Sequence, residues 1–84
     1  MRFMVTLGFA IADNERAEAM SLVAQEQAHI ADLQQRGTVE AFYLSVDRAH
    51  AWLVMRGATQ AAVEAELRAF PLHRFMRPSF AALA

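Results

Sequence analysis

Five consecutive apolar residues, Ala51-Trp52-Leu53-Val54-Met55, lie between His50 and Arg56. Successive side chains of a strand point to opposite faces of its sheet, so Trp52 and Val54 project one way and Leu53 and Met55 the other. A strand that is apolar on both sides belongs in a sheet covered on both faces. The rest of the chain must therefore supply two covers, or supply one and borrow the other.

The flanking sequence supplies one. Phe3, Val5, Leu7 and Phe9 alternate with Arg2, Met4, Thr6 and Gly8, a period of two that predicts a first strand over residues 2–10. Asp13 and Asn14 offer caps for a helix whose first turn carries Glu15 and Glu18, where the dipole favours acids. Its apolar stripe is Ala19, Met20, Val23, Ile30 and Leu33, and it is expected to run to Arg36 and stop at Gly37. Residues 39–46 read as a second strand. The short Asp47-Arg48-Ala49 turn joins it to the third, residues 50–56, as an antiparallel hairpin. Gly57 and Thr59 open a second helix with Val63, Leu67 and Phe70 in phase, and Pro71 closes it. Residues 75–83 form a fourth strand, and Pro78 places it at an edge.

The order β-α-β-β-α-β predicts a ferredoxin-like α+β domain over residues 1–84, a four-stranded antiparallel sheet with both helices on one face. No further element remains to cover the other face, which carries Met4 and one side of the third strand. A chain of 84 residues hides only about 60% of its unfolded surface, yet 56% of these residues are hydrophobic. A homodimer through the open sheet face, or a higher oligomer, is the expected remedy, with Leu53 or Met55 against the partner.

Composition narrows the function. The formal charge is −1 and all eight cationic residues are Arg. There is no basic field for nucleic acid or an acidic membrane surface, and no lysine for Schiff-base chemistry. Without cysteine there is no thiol nucleophile or disulfide. The three histidines are too scattered for a metal site, and no run approaches the ~20 apolar residues of a membrane span. The N-terminus lacks the features of a signal peptide, so a cytoplasmic protein is expected.

Glu26 is the most informative polar residue. Leu22, Val23, Ile30 and Leu33 surround it at helical spacing. Its carboxyl is either turned out to water at the stripe's edge or buried, and burial would raise its pKa into the range useful for proton transfer. His29 lies one turn on and within reach of it, or is a solvated flank residue. Tyr43 and Trp52, on the paired middle strands, are candidates to wall a pocket between sheet and helices, or are core or interface aromatics. His73 and Arg74 follow the second helix, and Arg74 suits a two-pronged carboxylate contact unless it is merely solvated.

Met1-Arg2-Phe3-Met4-Val5, Ala24-Gln25-Glu26-Gln27-Ala28, Leu33-Gln34-Gln35-Arg36-Gly37 and Phe70-Pro71-Leu72-His73-Arg74-Phe75-Met76 together resemble the muconolactone δ-isomerase family, in the same order and at nearly the same spacing. The resemblance implies a dimeric ferredoxin-like barrel. It also implies a cofactor-independent isomerase of aromatic-compound catabolism that moves a C=C bond in an unsaturated lactone, with Glu26 at the family's carboxylate position. Where the family carries a lysine on the same helix this chain has Val23, so the resemblance leaves the cation to His29 or Arg74. The chain is also shorter at its C-terminus than typical members. A YciI-like enzyme using His29, or a non-catalytic binding dimer, is compatible with the same fold.

Overall fold

The computed structural model describes all residues, Met1–Ala84. Strands β1 (Arg2–Phe9), β2 (Val39–Leu44), β3 (His50–Arg56) and β4 (Met76–Leu83) form one antiparallel sheet in the order β2-β3-β1-β4. Helices α1 (Arg16–Ser21) and α2 (Val23–Gln35) connect β1 to β2, and α3 (Gln60–Leu67) connects β3 to β4. Each crossover skips one strand, which is the ferredoxin-like topology. No helix is long and apolar enough to cross a membrane.

Register decides which side of β3 faces inward. Phe3 pairs with Met55, Val5 with Leu53 and Leu7 with Ala51. All six are buried, and they form one core with Ile30 and Leu33 of α2, Val63 and Leu67 of α3, and Phe70. Leu53 and Met55 therefore lie against the chain's own helices, contrary to the expectation that one of them faces a partner. The opposite face carries the cross-strand pairs Met4–Val54, Thr6–Trp52, Ala41–Val54 and Tyr43–Trp52. Arg2 and Arg56 converge on Glu40 at one of its ends, at 2.7 and 3.5 Å. Pro78 sits on β4, which pairs only with β1, so its missing N–H leaves no ladder bond unmade.

The long first helix is in fact two. A single 3₁₀ turn over Asp13–Glu15 precedes α1, and Leu22 (φ −97°, ψ −7°) separates α1 from α2. At the break the Ser21 hydroxyl donates to the Glu18 carbonyl (2.6 Å) and the Leu22 N–H reaches back only three residues to Ala19 (3.1 Å). Local side-chain bonding of this kind competes with the helical ladder. At the far end Gly37 takes φ +78°. The Thr38 N–H donates to Leu33 and the Gly37 N–H to Gln34, the paired bonds of a Schellman cap.

The second helix is shorter than its periodicity predicts. It ends at Leu67, and Phe70 reaches the core from the turn that follows. Its start is set by Thr59, whose Oγ1 accepts the Ala62 N–H at 3.1 Å. Thr59→Ala is expected to lower the unfolding free energy by about 1 kcal/mol, read as a fall in the urea midpoint at unchanged m-value.

Candidate active site

The alternation that buries Leu7 also turns Phe9 toward the helices, and on β2 it turns Phe42 and Leu44 the same way. These four side chains floor a cavity of about 610 Å³ at one end of the sheet. Its roof comes from Met20 of α1 and from Val23 and Ile30 of α2. Phe70 and Leu72, in the corner after α3, close one side. The walls are mostly hydrocarbon, and the polar groups among them are Glu26, Gln27, Gln34 and Arg48.

Glu26 projects into this cavity from the first turn of α2 and is only 7% exposed. One carboxyl oxygen, Oε1, accepts the Leu72 N–H at 3.2 Å. No other protein donor and no cation reaches the carboxyl. Burial raises its pKa above the ordinary 4.5, and the single bond from Leu72 offsets this only in part. An acid with this environment changes protonation state more readily near neutrality than an exposed glutamate does, and one oxygen remains available to a ligand.

The other expected site residues are not gathered round it. The His29 ring stands edge-on to Phe70, with centroids 4.9 Å apart, and its buried Nε2 finds no partner. It makes no hydrogen bond to Glu26, although helical spacing allows one. Tyr43 and Trp52 are on the opposite face of the sheet from the cavity, because Phe42 and Leu44 occupy the inward parity of β2. Trp52 stacks there on His50, with ring centroids 6.2 Å apart. His73 borders a separate cleft of about 180 Å³ between α3 and β4. Arg74 bridges Glu15 (3.0 Å) and Glu18 (2.6 Å) and lies over the Phe75 ring, so its guanidinium ties the last corner of the chain to the start of the helical segment.

Three cavity residues were not read from the sequence as site residues. Gln27 and Gln34, seven residues apart on α2, flank the apolar stripe, and that spacing is the signal that finds them. Arg48 was read only as part of a turn. It has φ 62°, a left-handed conformation that costs an L-residue about 1–2 kcal/mol. The turn holds it there. Asp47 Oδ1 accepts from the Ser45 hydroxyl (2.7 Å) and the Ala49 N–H (3.0 Å), and the Arg48 N–H donates to the Ser45 carbonyl (3.0 Å). These bonds hold the Asp47 carboxyl below its usual pKa, the hydroxyl contributing most.

Residues 1–84 match the protein family described as muconolactone delta-isomerase. The fold is similar to that in the crystal structure of muconolactone isomerase at 3.3 Å resolution, with a TM-score of 0.83 and 24% sequence identity over all of this chain and 88% of the other. No curated protein matches the chain.

Proposed function

Because this chain belongs to the muconolactone delta-isomerase family, we propose that it is a cofactor-independent isomerase of a small unsaturated lactone, with Glu26 as its proton carrier. The observation that carries this reading is the Glu26 carboxyl, buried without a countercharge in an otherwise largely apolar cavity. Ionised Glu26 takes the proton from the ring carbon next to the conjugated C=C–C=O system. The electron pair moves into the ring and the lactone carbonyl oxygen takes on the negative charge of a dienolate. Glu26 then returns the proton to the carbon two atoms away, next to the carbonyl, leaving the double bond shifted by one position. A carboxyl with a raised pKa serves both halves, as a stronger base than an exposed glutamate and then as a competent acid. The amides of Gln27 and Gln34 supply N–H donors for the developing oxyanion. That the His29 ring packs on Phe70 and is not among the residues lining the cavity supports Glu26 over it as the proton carrier.

The functional unit in this reading is a homodimer joined through the open sheet faces. The Met4–Val54 and Thr6–Trp52 rows lie on the face opposite the chain's own helices, with Met4 and Trp52 half-buried and Val54 buried within the single chain, and their apolar side chains support that pairing. The reaction would serve the breakdown of aromatic compounds.

Incubation with muconolactone in deuterium oxide tests the assignment. The expected product is the lactone with its double bond moved one place, and solvent deuterium enters the receiving carbon only in proportion to the exchange of the Glu26 proton with solvent before it is returned. Turnover should rise with pH through an ionisation above 4.5, because the base must be ionised to begin. Unchanged lactone with no solvent exchange would overturn the reading.

A further inference from the structure

We infer that His29 is a positioning residue for Glu26: its ring props the corner Phe70–Leu72, so that the corner stays closed over the carboxyl and one carboxyl oxygen is left to the substrate. The inference deepens the isomerase reading, on which it rests for the reaction, and concerns how the acid is kept in its working state.

Two directional contacts join α2 to this corner. Glu26 Oε1 accepts the Leu72 N–H at 3.2 Å. Three residues on, about one helical turn, the His29 ring stands edge-on to Phe70, with centroids 4.9 Å apart and planes at 81°. Aromatic rings attract one another in this arrangement. On one side both contacts spring from the same helix. On the other they share a short stretch of chain that moves as a unit. Pro71 fixes the backbone φ between Phe70 and Leu72. The Phe70 N–H donates to the Leu67 carbonyl (3.1 Å), the His73 N–H to the Phe70 carbonyl (2.9 Å) and the Phe75 N–H to the Leu72 carbonyl (3.0 Å). Support under Phe70 is therefore carried to Leu72.

The His29 ring is suited to act as a prop. Its Nε2 is buried with no hydrogen-bond partner, and the ring lines neither cavity. A polar atom sealed in this way costs stability, so what holds the ring in place is its shape and its edge contact. The corner in turn acts on Glu26 twice. It helps keep water from a carboxyl that is only 7% exposed, and it donates the one bond the carboxyl receives from the protein. Burial is the larger influence and raises the pKa, while the bond lowers it. If the corner lifts, both influences go, and the proton affinity falls back toward the ordinary 4.5. Glu26 becomes a weaker base. Neighbouring charges do not confuse this response. Arg48 is the other charged side chain lining the cavity and keeps its charge throughout. Glu18 of α1 is engaged by Arg74, and Asp32 of α2 by Arg36.

Carbon-13 NMR titration of the Glu26 carboxyl in the full chain tests the inference without any turnover. Wild type and His29→Phe, which keeps a ring against Phe70, should titrate together above 4.5. His29→Ala should titrate closer to 4.5 than wild type, by roughly half a pH unit or more. In lactone isomerisation the rising limb of the pH–rate profile should be displaced in the same direction by alanine and restored by phenylalanine. The loss should fall on kcat more than on KM, because His29 lies outside the lining that holds the substrate. An alanine variant whose Glu26 titrates no closer to 4.5 than wild type, or a phenylalanine variant that fails as the alanine one does, would overturn the role of His29. Should wild type isomerise no lactone while the NMR pattern holds, the isomerase reading falls and the positioning role stands.

Discussion

Glu26→Gln is expected to lower kcat for lactone isomerisation by about a hundredfold or more, while the protein stays folded. The amide has nearly the shape of the carboxyl, and its oxygen can still accept the Leu72 N–H that Glu26 Oε1 now accepts at 3.2 Å. What it lacks is a proton to exchange. A second readout follows from the direction of the pKa shift. Burial raises the Glu26 pKa, so the folded state holds this proton more tightly than the unfolded state does. The carboxyl's favourable contribution is complete below the unfolded value near 4.5 and is lost as pH rises through the higher folded value. Glutamine has no such dependence. Urea midpoints of wild type and variant should therefore move apart with rising pH, the variant becoming relatively more stable toward neutrality. A variant that isomerises at the wild-type rate would remove Glu26 from the mechanism. Midpoints that stay parallel across pH would show that its carboxyl is not buried in solution.

Charge substitutions at two adjacent residues of β3 should fail in different ways. Leu53→Arg is expected to unfold the protein. Leu53 is wholly buried between the sheet and its helices. A guanidinium there has no counterion and no route to water, a penalty of several kcal/mol against a total stability of about 5–15 kcal/mol. Val54→Arg points the other way, onto the face that the helices leave uncovered. If two copies join at that face, the charge falls at the centre of their contact and should yield a dissociated chain that keeps its far-ultraviolet circular dichroism. Its urea midpoint should be lower, because association stabilises by mass action. Sedimentation decides the matter. Wild type running as a single copy at micromolar concentration, or Val54→Arg running as the same oligomer as wild type, would refute the sheet-face contact.

Much of the fold is local in origin and was legible in the residues. The period-two run of β1, the continuous apolar run of β3, the stop at Gly37 and the edge position of Pro78 each follow from the stereochemistry of a few neighbours. Helical spacing set Glu26 beside Leu22, Val23, Ile30 and Leu33 but left its carboxyl free either to turn out to water or to be buried; the closing of the corner at Leu72 over it decided for burial. The break at Leu22 was less visible, because the intervening hydroxyl bond from Ser21 competes with a continuous apolar stripe.

Alternation along β3 separates Trp52 and Val54 from Leu53 and Met55 but is symmetric between them. Only the pairing with Phe3, Val5 and Leu7, close to fifty residues away, decides which set is inside. The same register sends Tyr43 and Trp52 away from the cavity. Arg74 is claimed by Glu15 and Glu18 from the opposite end of the chain, and Arg48 reaches the cavity because a hydrogen-bonded turn sets its backbone. Periodicity is a property of neighbours in sequence and reports which residues share a side. Which side is covered, and which charged groups are left free to meet a substrate, depends on contacts between distant segments, and those exist only once the sheet has closed.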